Sequence, residues 1–165
     1  MPTIHKIVPC LWFDSDAEEA AHFYVSIFGG SSRIVRTSHY TAAGQEVHGR
    51  APGSVMTVEV ELAGQTFTLL NGGPHFRFTE AISLQVMCET QGEIDRFWEK
   101  LSSGGDPKAQ QCGWLKDKFG LSWQIVPTMM PDLFADADPE KASKAMTAML
   151  EMKKLDIATL KNAVG

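Results

Sequence analysis

The chain repeats itself, and that repeat limits its fold more than any other feature. Residues 81–105, AISLQVMCETQGEIDRFWEKLSSGG, read as a strand, a polar turn, a helix and a glycine pair, and residues 4–30 follow the same order. At an offset of 74, Glu19 matches Glu93, Ala20 Ile94, Phe23 Phe97, Tyr24 Trp98, Ile27 Leu101 and Gly30 Gly104, so one register runs through a whole helix. A second pair of segments repeats at an offset of 56: ELAGQTFTLL from Glu61 lies over DKFGLSWQIV from Asp117, with Gly64 on Gly120, Phe67 on Trp123 and Leu69 on Ile125. Each reads as a hairpin with glycine at its turn. The smaller second offset makes the second copy shorter; the excess in the first is the polar loop 41–54, TAAGQEVHGRAPGS, of a length often tied to function. Alternating strands and helices alone suggest a doubly wound sheet, but a short duplication with antiparallel hairpins points to an α+β fold. The expectation is two βαβββ modules, residues 1–72 and 73–130, with sheets curving around a shared cleft, helices outside, and a C-terminal helical extension over 138–164.

Local signals fill in this plan. Asp16 and Glu19 read as a capping-box start for the first helix, and acids in its first turn suit the positive end of the helix dipole, which accounts for the acidic cluster there without a metal. Ala20, Phe23, Tyr24 and Ile27 recur at helical spacing and read as core. In the tail, Asp138 caps a helix with Pro139 at its first position, and Asp156 caps a second. The stripe Ala142, Ala145, Met146, Met149 and Leu150 suits packing on the chain's own domain, ahead of a partner subunit, because it continues directly from that domain.

Several function classes are excluded by composition. Fifteen Lys and Arg stand against twenty Asp and Glu, for a net charge of -5, and no basic stripe matches a phosphate backbone, so nucleic acid is not an expected partner. The N-terminus lacks the flanks of a signal peptide and no apolar run reaches a membrane span, which reads as a cytoplasmic protein with no membrane partner. Cys10, Cys88 and Cys112 are odd in number and far apart; they form neither a disulfide framework nor a CxxC knuckle and read as small buried apolar groups. There is no nucleophile elbow, P-loop or HExxH. The glycine pairs at 29 and 30, 72 and 73, and 104 and 105 follow helices or join modules, whereas S-adenosylmethionine binding calls for glycine between a strand and a helix.

The segments IVPCLWF, LNGGP, AISLQVMCE, CGWLKDKFGLSWQIVP and the tail DPEKASKAMTAMLEMKKLDIATL resemble the PhnB-like branch of the glyoxalase, bleomycin-resistance and dioxygenase (vicinal oxygen chelate) superfamily, which carries the label of a 3-demethylubiquinone-9 3-methyltransferase domain. The resemblance covers nearly the whole chain. It implies the paired-module fold and a homodimer, and leaves the activity undefined, since fold does not settle function. In metal-dependent relatives, His or Glu on the first and last strands of each module hold a divalent ion that binds vicinal oxygens of the substrate. Here the corresponding positions are Val8, Thr68, Ser83 and Gln124. None is His, Asp or Glu, and the neutral amide of Gln124 holds a divalent cation weakly without charged companions. The prediction is therefore no metal ligand and no cofactor.

Strand alternation assigns the faces. Phe67 and Leu69, Ile82, Leu84 and Val86, and Leu121, Trp123 and Ile125 face the helices, which leaves Cys10, Trp12, Thr68, Ser83, Gln85, Met87, Ser122 and Gln124 for the cleft, with Val8, Thr66, Leu70 and Val126 beside them. This mixture of apolar and neutral hydrogen-bonding groups suits metal-independent binding of an unknown small molecule. His5, His22, His39, His48 and His75 form no metal motif. The alternative is an enzyme of glyoxalase or dioxygenase type, with a divalent metal or a general base supplied by the long loop, where His48, Arg50 and Glu46 are the candidates. A purely structural dimer module is the third reading, favoured if Trp12 and Met87 close the cleft.

Overall fold

The computed structural model describes residues 5–165, so Ile4, the first residue of the expected opening strand, lies outside it. The chain forms two compact units, one ending at Arg77 and one starting at Phe78. The first comprises β1 (Cys10–Phe13), α1 (Ala17–Phe28), β2 (Arg33–His39), α2 (Gln45–His48), β3 (Val55–Leu62) and β4 (Gln65–Asn71). Its sheet has the order β1-β4-β3-β2, with β1 parallel to β4 and the other pairs antiparallel. The second comprises β5 (Ser83–Cys88), α3 (Gln91–Ser102), β6 (Trp114–Lys116) and β7 (Ser122–Pro127), then α4 (Met130–Phe134), α5 (Pro139–Leu150) and α6 (Ile157–Val164). Its sheet runs β5-β7-β6, with β5 parallel to β7.

The repeat survives folding. Shifting α1 by 74 residues gives the bounds of α3, and each helix carries the crossover between two strands of one sheet. Ala20, Tyr24 and Ile27 are buried on α1, and Ile94, Phe97 and Leu101 on α3. The helices lie against the faces that bury Val58, Val60, Phe67 and Leu69 in the first unit and Leu115, Trp123 and Ile125 in the second. Phe23 is only half-buried.

Three expectations about the strands need correction. The second copy has three strands, not four, among the described residues. Where the counterpart of β2 would run, Pro107–Ala109 form a 3-10 turn and only an isolated Gln111–Trp114 bridge follows. Proline cannot donate to a ladder, and the amides of Cys112 and Gly113 donate instead to Met152 and Lys153 carbonyls of the tail, both at 2.7 Å. Among the described residues the opening strand starts only at Cys10 and leaves out 5–9: Pro9 has no amide proton to donate, and its carbonyl accepts from Thr68 N at 3.0 Å. Val8 thus precedes the strand, and Ile82 precedes β5 at 68% exposure instead of facing a helix.

The helix caps also divide between the copies. Asp16 makes no side-chain cap bond, since its backbone (φ -110, ψ 21) departs from the extended geometry that capping requires. Asn71, 3% exposed, acts from a distance: its Oδ1 accepts from Ala17 N at 2.9 Å and its Nδ2 donates to the Val55 carbonyl at 3.1 Å. The matching position in the second copy, Thr90, forms a full capping box with Glu93.

In the tail, Asp138 accepts from Glu140 N and Asp156 from Thr159 N, as expected of caps. α4 was not foreseen. Met130, Leu155 and Leu160 form a buried cluster against Val126 of β7 and Met149 of α5. Gln91 of α3 donates to the Leu155 carbonyl and accepts from Ile157 N, and Lys154 pairs with Asp95 at 2.6 Å. The tail therefore packs on its own unit. Its stripe is narrower than the sequence suggests: Ala145 is buried, but Met146 and Leu150 are exposed. No helix among the described residues is long and apolar enough to cross a membrane.

Candidate functional site

In the first unit, β1 and β4 pair Cys10 with Thr68 and Trp12 with Leu70. Leu11 and Phe13 are buried on the helix side, so Cys10, Trp12, Thr68 and Leu70 share the opposite, open face. Partial desolvation pushes the Cys10 thiol above its ordinary value, which disfavours a nucleophilic thiolate.

The segment LNGGP has a specific job. Asn71 caps α1, while the Trp12 indole donates to the Gly73 carbonyl at 2.9 Å and meets the Phe76 ring edge-on at 4.9 Å. A Cβ on Gly72 would lie 2.3 Å from the indole. Gly72→Ala should therefore displace Trp12 and cost about 1–3 kcal/mol by overpacking. Thermal melts and near-ultraviolet circular dichroism check this; unchanged values for both would refute the placement of Trp12.

In the second unit, the register sets Ser83 beside Ser122, Gln85 beside Gln124 and Met87 beside Val126. Trp123 and Ile125 are buried against the helix, so these six side chains share the other face. Gln124 Nε2 donates to Ser83 Oγ at 2.8 Å, and Gln85 Nε2 donates to Gln124 Oε1 at 3.4 Å. Gln85, Gln124 and Ser83 thus form one hydrogen-bonded row. Met87 is 44% exposed beside it.

Neither open face fits a divalent metal by itself. The first offers only the Thr68 hydroxyl beside the Cys10 thiol, and the second the Ser83 hydroxyl and the Gln124 amide, both ends of which are already engaged. Among the described residues, no group of three His, Cys, Asp or Glu is arranged to hold a metal ion.

The long loop is organised around His48. Its Nδ1 accepts from Arg50 N at 3.0 Å, which places the ring proton on Nε2, donating to the Ala43 carbonyl at 3.2 Å. The ring packs on Tyr40 at 4.6 Å, and the Tyr40 hydroxyl donates to the Asn71 carbonyl at 2.6 Å. Both nitrogens are engaged by the loop itself, so this arrangement holds no free base at His48. Glu46, His22, His39 and His75 are exposed on separate elements.

Trp114, Lys116 and Glu80 escaped sequence reasoning. β6 sets Trp114 opposite Gln124 and Lys116 opposite Ser122, so both join the open face. Lys116 Nζ pairs with Glu80 Oε1 at 2.5 Å. With Cys112 and Ala109 these residues line a concavity of about 330 Å³. The only available signal was alternation about Leu115 in WLK, too short to assign a face.

In each unit the first and last strands pair in parallel and one helix follows the first strand, a duplicated α+β class of fold. Within that class, the model of the family described as 3-demethylubiquinone-9 3-methyltransferase matches residues 5–126, and the chain belongs to that family. The solved structure of the PhnB protein from Bacillus cereus is 38% identical, with a TM-score of 0.62 over 74% of this chain and 99% of that one. A Pseudomonas aeruginosa protein is 19% identical, with a TM-score of 0.56 over 75% and 98%. No curated protein matches the chain.

Proposed function

We propose that the protein binds a small molecule without a resident metal, on the open, hydrogen-bonding faces of its sheets. The observation that carries this reading is the Ser83, Gln124 and Gln85 row beside exposed Met87: neutral donors and acceptors next to apolar surface. By resemblance, Ser83 and Gln124 correspond to two of the positions where metal-dependent relatives carry charged ligands, which supports a reading without metal. A thermal-shift screen of small metabolites tests the reading. Ligands that stabilise the wild type should bind Gln124→Leu about tenfold more weakly, as expected for one to two lost hydrogen bonds. Ligands indifferent to Gln124→Leu and Ser83→Ala would overturn it.

The family's name suggests methyl transfer, but the residues do not fit S-adenosylmethionine. The strand-to-helix turns carry Asp14, Ser15 and Asp16 in one unit and Glu89 and Thr90 in the other, with no glycine to let a backbone approach the cofactor. An enzyme of glyoxalase or dioxygenase type is the second reading. It would have to recruit a base other than His48, whose ring is held by Arg50 N and Ala43 O.

A further inference from the structure

We propose that the concavity of the second unit is a subsite for a small planar aromatic anion, with the anionic group received by Lys116 and Ser122 and the ring laid against Trp114. This deepens the small-molecule reading above and rests on it.

Three observations meet here. First, Ser122 is 1% exposed, and its Oγ is a buried side-chain oxygen with no hydrogen-bond partner among the described residues. Leaving such a hydroxyl unpaired is costly, and a bound acceptor would satisfy it.

Second, Lys116 lies directly opposite Ser122 across the antiparallel β6–β7 pair. Side chains so placed are close enough to share one ligand group. The ammonium already holds a carboxylate, that of Glu80, whose side chain is 64% exposed while that of Lys116 is 28% exposed. Glu80 comes from the loop before β5, outside the sheet. An exposed ion pair contributes little, so a carboxylate carried by an apolar ligand can replace Glu80 while keeping the charge on Lys116 paired.

Third, the remaining walls are mostly apolar. Trp114, Leu115 and Ala109 line the concavity with Cys112, and Gln111 is its one other polar side chain. Cys112 adopts a left-handed backbone (φ 42), and its amide N–H donates to the Met152 carbonyl of the tail. A volume of about 330 Å³ lies at the small end of ligand pockets, which suits one or two fused rings.

The test uses 2-naphthoate and the uncharged 2-naphthalenemethanol, titrated calorimetrically into the full chain. The proposal predicts saturable naphthoate binding that weakens about tenfold or more in Lys116→Met, with much less change for the alcohol, as expected for loss of a charge-assisted contact. Glu80→Gln should bind naphthoate several-fold more tightly, because the competing carboxylate is gone; this exposed position keeps the test valid should Lys116→Met fold poorly. Ser122→Ala should weaken binding by a few-fold. Absence of saturable binding to both wild type and Glu80→Gln, or equal affinity in wild type and Lys116→Met, would overturn the proposal. The two levels separate cleanly. Ligands dependent on Gln124 without naphthoate binding would sink this subsite and leave the general reading standing. Naphthoate binding that needs Lys116, with no ligand sensitive to Gln124, would keep the subsite and remove the Gln124 row from the binding surface.

Discussion

Asp117→Ala should lower the unfolding free energy by about 3–5 kcal/mol, the cost of leaving buried donors without a charged acceptor. Asp117 is 2% exposed. Its Oδ1 accepts from Phe119 N at 2.9 Å and Leu121 N at 3.1 Å, and its Oδ2 accepts from the Trp123 indole at 2.8 Å. Its backbone closes the same turn, donating to Leu121 O and accepting from Gly120 N, each at 2.9 Å. One carboxylate thus sets both the turn that opens β7 and the seat of a core tryptophan. Asp117→Asn separates the two roles. An amide can still accept from the two backbone donors but turns its own donor toward the indole, so a smaller loss is expected, with the near-ultraviolet signal of Trp123 altered. Urea unfolding of both variants checks this, and a loss below about 1 kcal/mol in Asp117→Ala, typical of a surface site, would contradict the network.

Gly105→Ala should be the second large effect. A Cβ there would lie 2.0 Å from the Lys116 carbonyl oxygen and 3.1 Å from its carbon. The obstacle is strand backbone, which cannot rotate away as a side chain can, so the close-packed interior must shift. The expected cost is about 3 kcal/mol, which for a chain of this size means a melting temperature lower by about 6–12 °C. Gly120→Ala is the matched comparison. Gly120 has φ 86 but open space around its Cβ position, so only backbone strain of about 1–2 kcal/mol is expected. A Gly105→Ala variant as stable as Gly120→Ala would mean that α3 and β6 are not packed as described.

These residues also show what the sequence could and could not reveal. The helices were legible because their apolar spacing is local and repeated: Ala20, Tyr24 and Ile27 prefigure Ile94, Trp98 and Leu101. The faces of β4 and β7 were legible for the same reason, as alternation in TFTLL and SWQIV reports burial directly. The turn at Gly64 was legible too, although Ala63 joins it with φ 47. Long-range partners were not. Nothing near Asp16 announces that Asn71 will cap α1, and nothing near Gly113 announces that the tail will take its amide. The missing counterpart of β2 follows from Pro107 and those tail bonds, which no comparison of the two copies could supply. At the site, Ser83, Gln85 and Gln124 came together as one row because their strands pair in register. Trp114 and Lys116 were missed because a strand of three residues carries too little pattern. His48 looked available as a loop histidine, whereas Arg50 N and Ala43 O hold its ring.

The most direct test of metal-independent binding is the metal content of protein purified without an affinity tag, by elemental mass spectrometry, followed by thermal melts with divalent ions. The hydroxyl and amide donors at Thr68, Ser83 and Gln124 predict metal far below one ion per chain and melts that do not distinguish one ion from another. Near-stoichiometric metal, or a large shift specific to one ion, would contradict the account and bring the enzyme reading forward.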